Sequence, residues 1–305
     1  MTRCLVTGGA GFIGSNLVDS LVGLGHEVIV IDNESAESNS GFFWRGDTCN
    51  YKVDISSFPM AGGELIKIFR KHSPQIIFHL AALTSIPLGI KNPIKTYAVN
   101  TMGTCNLLQL ALEFDAKRFI FSSTSSVYGL KNQPPISEDS PKDCLNPYSS
   151  TKSAAEDSCR MYSLTYGLET ICLRYFNVYG ERQPTKGAYA SVVGAFLNAR
   201  KSGEALKIYG DGSQERDFIH VGDVVRCNIL SAFSHNKKAP NSIINVGTGE
   251  STSILSLAKM ISDNIDFLPE RDGEVKRSRA DISNLKKILN FTPENRLKAW
   301  IENCK

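Results

Sequence analysis

The sequence predicts an α/β fold in which helices cover both faces of a parallel sheet, with a smaller α/β part at the C-terminal end. Three observations carry this. Short apolar runs alternate with amphipathic, helix-length segments through the first half, the pattern of repeated strand–helix–strand units. A glycine-rich turn joins the first apolar run to the first amphipathic segment. After about residue 177 the alternation gives way to a loop-like stretch and then to new, shorter elements.

Taken in order, strands are expected at 3–6, 28–31, 76–79, 119–122 and 170–174, and helices at 14–24, 63–72, 100–114 and 149–166. Segment 177–190 reads as loop. A helix at 190–202, a strand at 206–209, a helix at 221–234 and a strand at 242–246 follow. The domain reading is 1–176 for the sheet domain, with a return segment near 217–247, and 177–305 for the smaller one.

Composition sets bounds. The chain has 305 residues, 42% hydrophobic and 21% charged, enough for one large core and a smaller one. Net charge is +3 with both signs interspersed, so nothing favours a nucleic-acid partner. Eight cysteines lie scattered without CxxC pairs or zinc spacing, which predicts reduced thiols and no metal site. The first strand begins almost at Met1, leaving no room for a signal peptide, and no apolar run approaches the ~18 residues of a membrane span. A cytoplasmic protein is expected.

The chemistry starts at Gly8, Gly11 and Gly14, between a strand and a helix carrying Leu17, Val18, Leu21 and Leu24. Missing Cβ atoms let the backbone turn sharply, admit a pyrophosphate and let helix pack on strand, while the helix N-terminus offers free N–H groups. The second strand ends in Asp32, eighteen residues after Gly14. A carboxylate there accepts from ribose hydroxyls and repels a 2′-phosphate. The pattern therefore predicts a Rossmann-type, doubly wound dinucleotide-binding sheet that takes NAD rather than NADP.

Tyr148 and Lys152 stand four residues apart on a predicted helix and so share a face. A phenol with a pKa near ~10 is a poor base, and an adjacent ammonium favours its phenolate. Tyr148 is then a usable general base for a hydroxyl proton. Ser123 and Thr124 end a strand nearby and are placed to hold the reacting oxygen.

These residues resemble the extended short-chain dehydrogenase/reductase family, and within it the nucleotide-sugar 4-epimerases of the UDP-glucose (UDP-galactose) 4-epimerase type. The resemblance spans essentially the whole chain. It rests on Thr7-Gly8-Gly9-Ala10-Gly11-Phe12-Ile13-Gly14, His79-Leu80-Ala81-Ala82 and Asn100-Thr101-Met102-Gly103-Thr104. It continues in FSSTSSVYG at 121–129, NPYSSTK at 146–152, RYFNVYG at 174–180, IYGDG at 208–212, RDFIHV at 216–221 and NVGTG at 245–249.

The resemblance implies roles. Gly8, Gly11, Phe12, Ile13, Gly14, Asp32 and Asn33 would hold the adenosine half of NAD, with Asp54 and Ile55 at the adenine. Leu80, Ala81, Ala82, Asn100, Ser122 and Tyr175 would line the rest of the cofactor cleft. Thr124, Tyr148 and Lys152 would be catalytic, with Lys152 also on the nicotinamide ribose. Thr84, Ser123 and Thr124 would face the sugar. Asn177, Arg216 and Arg271 would grip the diphosphate, and Val192 and Tyr209 would frame the base. Arg suits that task because its fork matches phosphate oxygens.

Plainer readings stand beside these. Asp54 and Asn100 are candidate helix caps, and His79 is a candidate structural residue at a strand end. Arg216 has Asp217 as a local partner, Arg271 lies in a charged loop, and Asn177 begins a turn.

Dehydratases and decarboxylases of this superfamily carry carboxylates after the catalytic Thr, where this chain has Ser125-Ser126. Oxidation and re-reduction at C4 of a UDP-hexose is therefore the expected reaction. Ser278, just before Arg279-Ala280-Asp281, stands where strict glucose/galactose enzymes carry a bulky residue, which implies room for UDP-GlcNAc/UDP-GalNAc as well. A UDP-glucuronate 4-epimerase, a nucleotide-sugar reductase and a non-catalytic NAD-binding regulator are the alternatives. A homodimer through helices 100–114 and 149–166 is implied, with Leu112, Met161 and Leu164 on the outer faces, where core packing explains them equally well.

Overall fold

The computed structural model describes residues 1–36, 41–57, 62–271 and 273–304. Its centre is a seven-stranded sheet, parallel throughout. Strands β1 (Arg3–Thr7), β2 (Glu27–Asp32), β3 (Cys49–Lys52), β4 (Ile76–His79), β5 (Arg118–Thr124) and β6 (Glu169–Tyr175) are joined at the far edge by the Ser242–Val246 strand. The order across the sheet is β3-β2-β1-β4-β5-β6 and then Ser242–Val246. Direction of travel reverses between β1 and β4, and such a switch point opens a crevice at the strand C-termini.

Both faces of the sheet are covered, which is why its strands read as continuous apolar runs. Cys4, Val6, Val28, Val30, Phe78 and Ile120 point into one core. Their neighbours Leu5, Ile29, Ile31, Ile77, Phe119 and Phe121 point into the other. A third core in the smaller part packs Tyr179, Val193, Phe196, Leu206, Ile208 and Leu257.

The five strands expected in the first half are present. The segment 49–52, passed over in the sequence, forms the polar edge strand β3, alternately half-buried and exposed. Its Asn50 and Lys52 hide the period, because an edge strand needs only one apolar face. The helix expected from 100 starts earlier. Pro93–Tyr97 runs through a π-turn at Ala98–Met102 into Gly103–Glu113. Asn100 is therefore inside helical backbone, and its reading as an N-cap is corrected. Segment 177–190 is not all loop: Asn177–Tyr179 pairs with Phe218–His220.

Pro147–Tyr166 is the helix that matters most. Asn146 accepts from Ser149 N–H at 3.0 Å while Ser149 Oγ returns to the Asn146 N–H, a capping box, with Pro147 at the first helical position. Gly167, at φ 76°, ends it in the left-handed region. The chain returns to the sheet layer after residue 217. Helix Val221–Phe233 packs against helix Phe12–Gly23, and the Ser242–Val246 strand pairs with β6. Helix Ser283–Leu289 packs there too, so a second return follows the expected one. Among the described residues no helix is long and apolar enough to cross a membrane.

Candidate active site

At the C-terminal ends of the strands lies a cavity of about 390 Å³. Gly8 turns the chain at φ +69°, and a Cβ there would stand 2.7 Å from the Ala81 nitrogen. A Cβ on Gly14 would stand 2.1 Å from the Gly8 carbonyl oxygen. Both glycines are thus required by close backbone approach. Gly11 opens the Phe12–Gly23 helix with no side-chain cap, so the N–H groups of its first turn remain available to an anion. Gly8, Gly11, Phe12, Ile13 and Gly14 all line the cavity.

Asp32 and Asn33 line the same cavity, with Ile55 beside them. Asp32 Oδ2 accepts from Ala10 N–H at 3.1 Å and Oδ1 from Glu34 N–H at 2.8 Å. Burial pushes the carboxyl up from its usual value, against these N–H donors. One backbone bond per oxygen leaves lone pairs for two hydroxyls. Asp54 does not line the cavity. It accepts from Asn33 Nδ2 at 3.0 Å and from Ser56, and the next helix starts at Glu64 behind Gly63. Its reading as that helix's cap is corrected.

Leu80, Ala81, Ala82 and Thr84 form the adjoining wall. Beneath them His79 is fully buried between Thr7 and Thr104. The Thr104 hydroxyl spends its proton on the Asn100 carbonyl at 2.6 Å. His79 Nε2 therefore donates to Thr104, and Nδ1 accepts from Thr7. Burial holds its pKa well below the usual imidazole value, so His79 is a neutral structural residue. Asn100 lies outside the lining as well. Its amide brackets residue Leu83, accepting from the N–H at 2.8 Å and donating to the carbonyl at 3.0 Å.

Ser122, Ser123, Tyr148, Lys152 and Tyr175 meet at the other end of the cavity. Lys152 Nζ donates to the Ser122 carbonyl at 2.7 Å and lies 4.6 Å from the Phe121 ring centre. Burial lowers its pKa to about 8. Burial raises the Tyr148 phenol, and a hydrogen bond with the Thr124 hydroxyl opposes the rise. The lowering expected at Tyr148 belongs to Lys152 acting together with a positive nicotinamide ring, a state that this balance does not describe. In the protein by itself the ammonium is engaged by Ser122, and desolvation of the phenol wins.

Thr124 stands behind Tyr148 rather than in the lining, and its Oγ1 accepts from Ser126 N–H at 3.1 Å. The Ser123 hydroxyl donates to Glu156 at 2.6 Å. Glu156 in turn meets both the Nε and Nη2 of fully buried Arg174 at 2.8 Å. The Tyr175 hydroxyl sits between Ser122 at 2.9 Å and Asn228.

Of the residues expected at the substrate, Thr84, Ser123 and Tyr148 line the cavity, whereas Asn177, Val192, Tyr209, Arg216, Arg271 and Ser278 lie outside its lining. Arg271 stacks over Tyr209, 3.5 Å from the ring centre. Arg216 donates to the carbonyls of Glu215 and Val275 and pairs with Glu274 at 3.1 Å. Its expected pairing with Asp217 is replaced by these contacts, because Asp217 is occupied by the N–H groups of Thr248, Gly249 and Ala280. Ser278 lies beside Arg216 in register on the neighbouring strand. Asn177 donates to the Asp217 carbonyl at 3.2 Å, and Val192 begins a helix capped by Ser191.

Sequence reasoning missed Ser35, Ala36, Phe42, Pro184, Tyr189 and Ser191, all of which line the cavity. No periodicity marks such positions. Glu156 was legible only as a turn beyond Lys152 on the same helix.

The fold and this cavity define a dinucleotide-binding α/β protein with a Tyr–Lys pair at the reactive end. The chain matches the NAD dependent epimerase/dehydratase family over residues 4–247. It belongs to that family, and its cofactor is NAD. It is 35% identical over 305 residues to a putative UDP-glucose 4-epimerase of Methanocaldococcus jannaschii, covering 98% of this chain and 95% of that one. A UDP-glucose 4-epimerase of Thermotoga maritima, solved with UDP-glucose, superimposes with a TM-score of 0.90 at 34% identity, covering 98% and 96% of the two chains. A UDP-N-acetylglucosamine 4-epimerase of Methanobrevibacter ruminantium M1, solved with UDP-N-acetylmuramic acid, gives 0.90 at 35%, covering 99% and 96%. The fit to NAD is independently physical: an uncapped helix N-terminus, a close-approach glycine turn and Asp32 at the end of β2 share one cavity.

Proposed function

We propose that this protein is a UDP-hexose 4-epimerase that acts by transient oxidation at C4. The observation that carries this is the meeting of Tyr148, Lys152 and Ser122–Ser123 at one end of a cavity whose other end holds Asp32. NAD, when bound, supplies the chemistry of taking the C4 hydride and returning it to the opposite face of the sugar.

The chain's own residues do the rest. Tyr148 takes the 4-hydroxyl proton and later gives it back, so no net acid or base is consumed. Thr124 orients the Tyr148 hydroxyl through their hydrogen bond. Lys152 brings positive charge to the phenol once its ammonium is shared between Ser122 and the cofactor ribose. Ser125 and Ser126 carry no carboxyl group, so elimination and decarboxylation lack an acid there. Arg216 and Arg271 hold the diphosphate, with Asn177, and Tyr209 and Val192 frame the base. That remote grip retains the sugar while its ring turns over. Domain 1–176, with the return near 217–247, takes the cofactor and 177–305 takes the UDP-sugar.

Ser278 leaves room at C2, which supports UDP-GlcNAc/UDP-GalNAc as a second substrate pair. A homodimer fits the exposed Met102, Met161 and Leu164 on the two expected helices. Leu112 is half-buried against the core and is not part of that surface.

Purified protein is incubated, without added cofactor, with UDP-galactose and separately with UDP-GalNAc, and the products are resolved by chromatography. Conversion of both to the gluco epimers is the expected result. Conversion of neither, even with NAD⁺ supplied, overturns the substrate assignment.

A further inference from the structure

Two segments far apart in the chain border the dinucleotide cavity without belonging to the large sheet. Residues 41–48 supply Phe42, and residues 181–191 supply Pro184, Tyr189 and Ser191. Both are tied to one carboxylate on the back of the cofactor-facing helix. Asp19 Oδ1 meets Arg45 Nη1 at 2.9 Å, and Asp19 Oδ2 meets Arg182 Nη2 at 2.6 Å. The Arg182 guanidinium also lies 5.1 Å from the Phe43 ring centre, so the two segments touch each other as well as the helix.

Two further bonds place this cluster against the phosphate-facing turn. Phe43 N–H donates to the Ala10 carbonyl at 2.9 Å, and Asn16 Nδ2 donates to the Glu181 carbonyl at 3.1 Å. Asp19 itself touches neither the cavity nor the Tyr148–Lys152 pair. Its two oxygens bridge the three segments by ion pairs, alongside the Phe43–Ala10 and Asn16–Glu181 bonds and the Arg182–Phe43 contact.

We propose that Asp19 is a positioning residue: a clasp that holds both segments across the cavity and sets how slowly NAD leaves. The inference rests on the 4-epimerase reading, in which oxidation and re-reduction use one cofactor that stays bound between the two half-reactions. The clasp groups are about one-third exposed. Salt therefore screens them, since the Debye length falls from ~10 Å at 0.1 M to ~3 Å at 1 M. Removing the carboxylate leaves Arg45 held by Asp47 alone and takes away the ion-pair partner of Arg182.

The test loads the whole protein with NAD and dilutes it into NAD-free buffer containing ethanol and an excess of alcohol dehydrogenase, so that released NAD is read as NADH absorbance. No sugar is present. Asp19→Asn is expected to release NAD about tenfold faster than wild type at low salt. Wild type is expected to approach that rate at 1 M NaCl, while Asp19→Asn changes less than twofold. Arg182→Gln is expected to match Asp19→Asn, and the double variant to exceed neither, with melting temperatures alike. Unchanged release in both single variants overturns the clasp, as does an equal salt response in wild type and variant. Because release is read without sugar, failure of the clasp and failure of the substrate assignment remain separate results.

Discussion

At the cofactor end, Asp32, Ser122, Tyr148 and Lys152 are held by sheet backbone and one capped helix, and their polar atoms meet a single cavity. At the proposed sugar-nucleotide end, Arg216 is already engaged by two carbonyls and Glu274, and Arg271 lies on Tyr209. The first end is preorganised because parallel strands in register cannot shift independently. The second is built from two-residue strands and loops, in which Glu274 already balances the charge of Arg216. On the proposed reading, a diphosphate entering there would exchange with Glu274 for Arg216. The proposed reading thus divides binding and chemistry between an adjustable part and a rigid one.

The comparison can be broken first at the rigid end. Tyr148→Phe is expected to lower kcat by about 10²–10⁴-fold while leaving NAD content unchanged, measured by product chromatography and by cofactor release on denaturation. Residual turnover within a few-fold of wild type would remove Tyr148 from the acid/base role.

Lys152 gives the next largest effect. Its folded pKa is about 8 against an ordinary 10.5, lowered by burial. Below pH 8 both states hold the proton, and the folded state carries the cost of a buried charge. Between pH 8 and 10.5 the unfolded chain binds more protons, so stability rises with pH in that window. Relative to Lys152→Met, the wild-type protein is expected to gain about 3 kcal/mol from pH 8 to pH 10.5, read from denaturant midpoints. A flat difference would mean that Lys152 keeps its charge without cost.

The adjustable end responds more mildly. Arg216→Lys removes a planar fork and is expected to raise KM for the UDP-sugar about 10–100-fold with kcat little changed, from the loss of about 1.5–3 kcal/mol of charge-assisted bonding. Equal losses in kcat and kcat/KM would place Arg216 at the transition state instead. The smallest and sharpest change is Glu274→Gln. If Glu274 competes with the diphosphate for Arg216, KM falls by up to about fivefold, the worth of a partly exposed ion pair of ~1 kcal/mol or less. A rise in KM would show that Glu274 positions Arg216 rather than competing for it.

Local pattern made the cofactor end legible. Gly8, Gly11, Gly14 and Asp32 are read from one strand–turn–helix–strand unit, and Tyr148 and Lys152 from the helical repeat. Asn100 and β3 were misread for local reasons: a π-turn carries the helix past Asn100, and an edge strand of alternating exposure shows no apolar run. Phe42, Pro184 and Ser191 had no signal at all, since loops reach a site by where their ends are anchored.

By itself the sequence determined the alternation of strands and helices, the glycine turn, the acid Asp32 at the end of the second strand and the Tyr–Lys spacing, because each follows from backbone geometry within about 30 residues. The tertiary structure alone decided that Lys152 binds the Ser122 carbonyl, that Glu156 sits between Ser123 and Arg174, that Arg216 pairs with Glu274, and that Asp19 ties two distant loops together. Those outcomes depend on which charges are desolvated beside which, and burial is a property of the assembled chain.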